Sequence, residues 1–180
     1  MAACMAIFVG LRVSYNDTPT YRHVYETIDI TGGIFKEIDW SLGENPGFNV
    51  LNRILKYLGF STQSFLMFYA ILTNGIYIWF IRKYTSSIWL SVFYFFTMGC
   101  YTFTMAAIKQ CTAVAFCLLS VDSMLEKKWY AFIFWVLFAC TFHPYAIMYI
   151  VTPLLLFKPW TSNTWKMFGL FGLAGILLQS

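Results

Sequence analysis

The sequence predicts an all-α fold, a polytopic transmembrane helical bundle that forms a single membrane domain over residues 1–180. Three observations predict it. Apolar residues make up 59% of the chain and charged residues 11%, whereas a water-soluble domain has about a quarter of its residues charged. Apolar runs of spanning length, about 17 to 25 residues, recur along the chain and stop at basic residues. Aromatic residues reach 21%, the bias of helices anchored at bilayer interfaces. The net charge of +4 is scattered between the apolar segments. It forms no basic stripe, so it reads as a topology signal and not as a nucleic-acid surface.

The elements follow in order. Residues 1–12 read as a partial span. Met1 to Gly10 has no basic n-region and no clear cleavage site, so it is not a signal peptide. It resembles the later half of a membrane helix. Leu170 to Ser180 stops inside another apolar run, and the chain is therefore expected to be a truncated piece of a longer protein. Residues 13–63 read as a loop carrying two short interfacial helices. Thr18-Pro19 has an N-cap and N1 pattern, and Tyr21, Val24, Tyr25 and Ile28 then share one face. Asn45-Pro46 repeats that start, with Phe48, Leu51, Ile54, Leu55 and Leu58 opposite Asn49, Asn52, Arg53 and Lys56, and Gly59 as a stop.

Six further segments read as spans. Residues 64–81 end at Arg82-Lys83. Ser86 to Leu125 is too long for one crossing and divides into 87–105 and 109–125, with a break near Gly99 to Gln110. Trp129 to Phe157 as one helix would be about 43 Å long. His143-Pro144 at its middle disfavours the α region, which divides it into 129–143 and 144–157. The last span is 166–180. With this division the basic stretches Arg82-Lys83, Glu126 to Lys128, and Lys158 to Lys166 all fall on one side, the cytoplasmic one. The other side receives the segment from Arg12 to Gln63, the Tyr101 to Gln110 turn and the His143-Pro144 turn.

That outer side collects Arg12, Asp17, Tyr21, Glu44, Lys109, Gln110 and His143. Ionisable groups at membrane depth cost roughly 2.5–3.5 kcal/mol on insertion scales and mark candidate sites. On a helix from Lys109, the residues Thr112, Ser120 and Ser123 share its face and would form a polar track. Each residue also admits a structural reading. Arg12 can snorkel at a helix end, Asp17 can cap the helix at Thr18-Pro19, and Glu44 can face the positive end of the helix at Pro46. His143 can mark an interfacial turn. The two histidines, His23 and His143, come with no H-E-x-x-H motif and no cysteine cluster, so no metal and no cofactor is expected. The five cysteines form no C-x-x-C pair and sit in apolar surroundings, as small buried residues do.

Four stretches carry a resemblance. They are GLRVSYNDTPTY from Gly10, ENPGFNVLNRIL from Glu44, AAIKQCTAVAFCLLS from Ala106 and FACTFHPYAIMYI from Phe138. In this order the chain resembles the EpsG-like family of bacterial exopolysaccharide polymerases, relatives of the Wzy O-antigen polymerases. The family's usual arginine before glutamine is Lys109 here, a point charge that lacks the bidentate fork.

The resemblance implies a membrane glycosyltransferase-type polymerase on the outer face of the bacterial cytoplasmic membrane. It would transfer a growing glycan from undecaprenyl diphosphate onto a lipid-linked repeat unit. Its partners would be undecaprenyl-diphosphate-linked oligosaccharide, membrane lipid and other polysaccharide-assembly proteins. Arg12 and Lys109 would neutralise the leaving diphosphate. Glu44 or Asp17, with His143 as the alternative, would take the acceptor proton, and Tyr21 and Gln110 would orient sugar hydroxyls. A polytopic transporter of glycans or lipids is a rival reading, although the sequence shows no matching interrupted spans in two halves. A glycan ligase or acyltransferase of the same pathway is a closer one.

Overall fold

The computed structural model describes residues 1–35, 38–156, 162, 165, 166, 169, 170 and 172. Among these residues the secondary structure is helical, with no strand. Two compact units divide the chain, Met1–Ile147 and Met148–Ser180. The first opens with α1 (Ala2–Gly10) and α2 (Thr18–Thr27). A 3-10 turn (Leu42–Glu44) then leads into α3 (Pro46–Tyr57). After it come α4 (Thr62–Tyr84), α5 (Ile88–Thr97), α6 (Cys100–Ala106), α7 (Ile108–Leu125) and α8 (Trp129–Cys140).

The short helices start where the sequence says they should. Asp17 is the N-cap of α2 and Asn45 that of α3, with proline in the first turn of each, where its missing N–H costs nothing. Gly59, at φ +78°, closes the turn after α3. Asn52 departs from the polar face assigned to it. It is buried, and its Oδ1 accepts a 2.8 Å hydrogen bond from the Tyr69 hydroxyl of α4. The amphipathic pattern of α3 therefore includes one polar residue turned inward to tie the helix to the bundle.

Two helices, α4 and α7, are long and apolar enough to cross a membrane. At 23 residues, α4 measures about 35 Å, enough for a hydrocarbon core of about 30 Å. The helices α5 and α6 form one further broken crossing or a re-entrant loop, bent by 54°. The bend falls at Gly99, whose φ of +77° an L side chain rarely adopts. At 12 residues, α8 is about 18 Å long. It tightens at its end, where Thr141 and Phe142 donate to carbonyls three residues back. Pro144 has no N–H with which to continue it.

This unit has one core cluster on α1, α4, α5 and α6, with Met5, Val9, Ala70, Ile78, Val92, Tyr101 and Met105 in contact, and further buried apolar residues on α3, α7 and α8. Its most extensive helix pairings are α7 with α8 and α1 with α4, and α7 packs on α4 as well. Where α1 meets α4, a Cβ on Gly10 would lie 2.9 Å from Met67 Cα, so only glycine permits the approach. At the far end of α4, Lys83 forms ion pairs with Asp122 and Glu126 of the α7 terminus, and Glu126 also pairs with Lys128 at 2.6 Å. These bonds hold the basic ends of α4 and α7 together at one end of the bundle.

A 3-10 run (Pro144–Val151) follows α8. In the second unit lies α9 (Thr152–Leu156), and the Thr152 hydroxyl donates to the Tyr149 carbonyl. The stretch expected as a span at 144–157 is thus largely a 3-10 run and a short helix. The expected span 166–180 falls, but for four scattered positions, outside the described residues.

Candidate active site

Opposite the Lys83 cluster, the N-terminus of α7 meets the end of α1 and the start of α2. Arg12 follows α1 and turns back on it. One guanidinium nitrogen donates to the Val9 carbonyl at 2.7 Å, and Nε donates to Thr18 Oγ1 at 2.9 Å. The first bond satisfies a carbonyl that the helix end leaves without a partner. The second fixes the start of α2, where Thr18 is fully buried. Both acceptors are neutral, so the half-buried guanidinium keeps its full charge.

One turn into α2, the Tyr21 phenol lies near the backbone N–H of Lys109. That N–H belongs to the first turn of α7 and has no partner within the helix. Burial pushes the Tyr21 phenol above its usual pKa, the Lys109 N–H lowers it less, and the charge of nearby Asp17 raises it. The phenol therefore stays protonated at neutral pH. Asp17 is exposed and makes no side-chain cap bond. Its carboxylate has no hydrogen bond or ion pair among the described residues.

Lys109 is half-buried. Its ammonium lies over the Phe48 ring, 5.8 Å from the centroid. The Tyr21 ring meets the same Phe48 edge-on at 6.0 Å, and the Tyr69 ring lies 5.2 Å from it. The sequence reading placed Phe48 on the apolar face of α3 and in the second of the four stretches, but gave it no role at the site. Its ring, fixed between α2 and α4, is the surface on which the lysine rests. His143, just beyond α8, lies within electrostatic reach of Lys109, and its ring is 5.4 Å from that of Tyr145.

The structure thus gathers Arg12, Asp17, Tyr21, Lys109 and His143. Glu44 and Gln110 are exposed, and neither side chain makes a described bond to the cluster. Glu44 instead offers its backbone carbonyl to Asn49 Nδ2 at 2.8 Å. Beside it, Asn45 Oδ1 is buried without a hydrogen-bond partner, an acceptor the sequence did not single out. The polar track expected below Lys109 is closed. Thr112, Ser120 and Ser123 are buried, but each hydroxyl bonds a carbonyl of α7 itself, at 2.7–2.9 Å. Among the described residues no group of histidine, cysteine, aspartate or glutamate could hold a metal ion.

A family model described as the EpsG family matches residues 1–180. The chain belongs to the EpsG family. No curated protein and no solved structure matches it. EpsG membership points to an exopolysaccharide-polymerase-like role, with lipid-linked polysaccharide substrates in a membrane. Of the four stretches behind the resemblance, the first supplies Arg12, Asp17 and Tyr21, the second Phe48, the third Lys109 and the fourth His143. In this EpsG chain, stretches that are far apart in sequence therefore meet in one cluster.

Proposed function

We propose that this chain is a polymerase that transfers a growing glycan from undecaprenyl diphosphate onto a lipid-linked repeat unit. The site lies on the outer face of the bacterial cytoplasmic membrane. One observation carries the reading: Arg12 and Lys109 flank Tyr21, and among the described residues neither is paired with a carboxylate. Two unneutralised cations beside the positive end of an 18-residue helix form a site for an anion. In the reaction the acceptor hydroxyl attacks the anomeric carbon and the bond to the diphosphate oxygen breaks. The cations stabilise the charge that develops on the leaving diphosphate.

The acceptor proton passes to a carboxylate or imidazole. Asp17 is the group we assign, because its carboxylate is free and acts on Tyr21; Glu44 and His143 are the alternatives. Tyr21, kept protonated, has its O–H available for a sugar oxygen. Gln110, next along α7, is placed to bind a sugar hydroxyl from the open side.

The test is reconstitution. Full-length protein in lipid discs is given diphosphate-linked repeat units. A ladder of lengths is expected, with one undecaprenyl diphosphate released per added unit. Repeat units recovered unchanged would refute the activity. Sidedness is tested separately in intact cells: cysteines placed at Glu44 and Pro144 should react with an impermeant thiol reagent, and one at Lys127 should not.

A further inference from the structure

We infer that the groove beneath α3 holds the first isoprene units of a polyprenyl chain whose phosphate end lies at Lys109. The inference rests on the polymerase reading and says where that reading's lipid lies. The groove encloses a cavity of about 520 Å³, within the roughly 300–1,000 Å³ of small-ligand sites. One wall is α3, through Val50, Leu51 and Ile54. The floor is Phe116, Phe138 and Phe142 of α7 and the α8 end. The floor rings pack on one another, with Phe116 4.8 Å from Phe138 and 5.0 Å from Phe142, so the apolar surface is continuous.

The position of the groove identifies the occupant. Phe116 lies two turns along α7 from Lys109 and on the same face, about 10 Å away. Phe142 immediately precedes His143, and Phe48, under the Lys109 ammonium, immediately follows Gly47 of the lining. The Lys109 ammonium therefore lies over a ring one residue from the groove lining, with no carboxylate partner among the described residues. A ligand that satisfies both is an anion joined to a hydrocarbon chain. The wall is held in place by close contact. The Gly47 N–H donates to the Thr141 carbonyl at 2.9 Å, and a Cβ on Gly47 would collide with Thr141 Oγ1, so α3 is seated directly on the end of α8.

The experiment uses full-length protein in lipid discs and an undecaprenyl phosphate probe with a diazirine in its first isoprene units. After illumination the labelled peptides are mapped. Label is expected on the segments 47–54 and 138–142. It should fall at least tenfold in Lys109→Gln and in Leu51→Trp, which fills the groove, with Val50→Trp as a second filling variant and size-exclusion profiles confirming folded protein. Excess undecaprenyl phosphate should remove the label, while dioleoyl phosphatidic acid at the same concentration should leave most of it. Equal competition by the two lipids would overturn the proposal, because any bilayer lipid would then fill the groove. Label confined to the separate groove of Ile7, Phe8 and Met105 would overturn it too, as would no label at 47–54, the result if a second copy or another segment covers α3. Groove label without polymer from the same preparation would refute the polymerase and leave the lipid site standing. Polymer without groove label would do the reverse.

Discussion

The Lys109 ammonium lies over the Phe48 ring, 5.8 Å from its centroid, and the Tyr21 ring meets the same Phe48 edge-on at 6.0 Å. These contacts join the loop region to the membrane helix that carries the second cation. Arg12 touches α2 as well, through Thr18, one turn before Tyr21. The short helix α2 therefore contacts both the Arg12 side chain and the ring under Lys109.

Tyr21→Phe keeps the ring against Phe48 and removes the hydroxyl proposed to bind a sugar oxygen. A typical hydrogen bond contributes about 0.5–1.5 kcal/mol. Thermal unfolding in detergent should show a nearly native midpoint. Polymer yield at matched protein level should nevertheless fall, because the sugar loses a hydrogen-bond partner. A variant with native midpoint and native yield would remove Tyr21 from the site.

Asp17→Asn keeps the shape of the N-cap residue and removes the proposed base. General-base catalysis contributes about 10²–10⁴-fold, and a loss in that range is expected in the rate of repeat-unit addition. Glu44→Gln and His143→Ala are expected to lose less. If Glu44→Gln shows the large loss instead, the base is the carboxylate at the start of α3 and Asp17 serves as a cap.

How much of this was legible beforehand differs from element to element. The starts of α2 and α3 could be read because proline in the first turn is a local signal that needs no tertiary context. The apolar runs of α4 and α7 were legible for the same reason. Asn52 was misplaced because its partner, Tyr69, lies on another helix, and periodicity marks a polar residue as outward unless its partner is known. The track below Lys109 failed because serine and threonine can bond the carbonyl one turn back within their own helix, which spacing does not reveal. Arg12, Asp17, Tyr21, Lys109 and His143 were placed together on one side of the bundle, but no pattern in the chain foretold that Phe48 would lie beneath the Lys109 ammonium.

At the other end of the bundle, the Glu126 carboxyl is held down to about 2 by Lys128 first and then Lys83. A depressed carboxyl pKa contributes stability that is present above its unfolded value, near 4.5, and is lost as pH falls through the folded value. The join between the ends of α4 and α7 should therefore hold at neutral pH and loosen between about pH 4.5 and 2. The group is exposed, so the effect should shrink with added salt. Carbon-13 NMR of the Glu126 carboxyl should give a midpoint well below that of an ordinary glutamate, and Lys128→Gln should move it up. An ordinary midpoint in the native protein would show that these pairs do not form.

The charge at Lys109 is the most direct test of the account. Cells lacking the native protein are complemented with full-length Lys109→Arg or Lys109→Gln at matched membrane levels, and polymer length is measured. Arginine preserves the charge and should keep much of the activity. Glutamine should reduce repeat-unit addition roughly 100- to 1,000-fold, the loss of a preorganised donor at developing charge, while insertion into the membrane stays normal. Long polymer of native abundance from Lys109→Gln would contradict the account, because a lysine outside the site changes little when replaced.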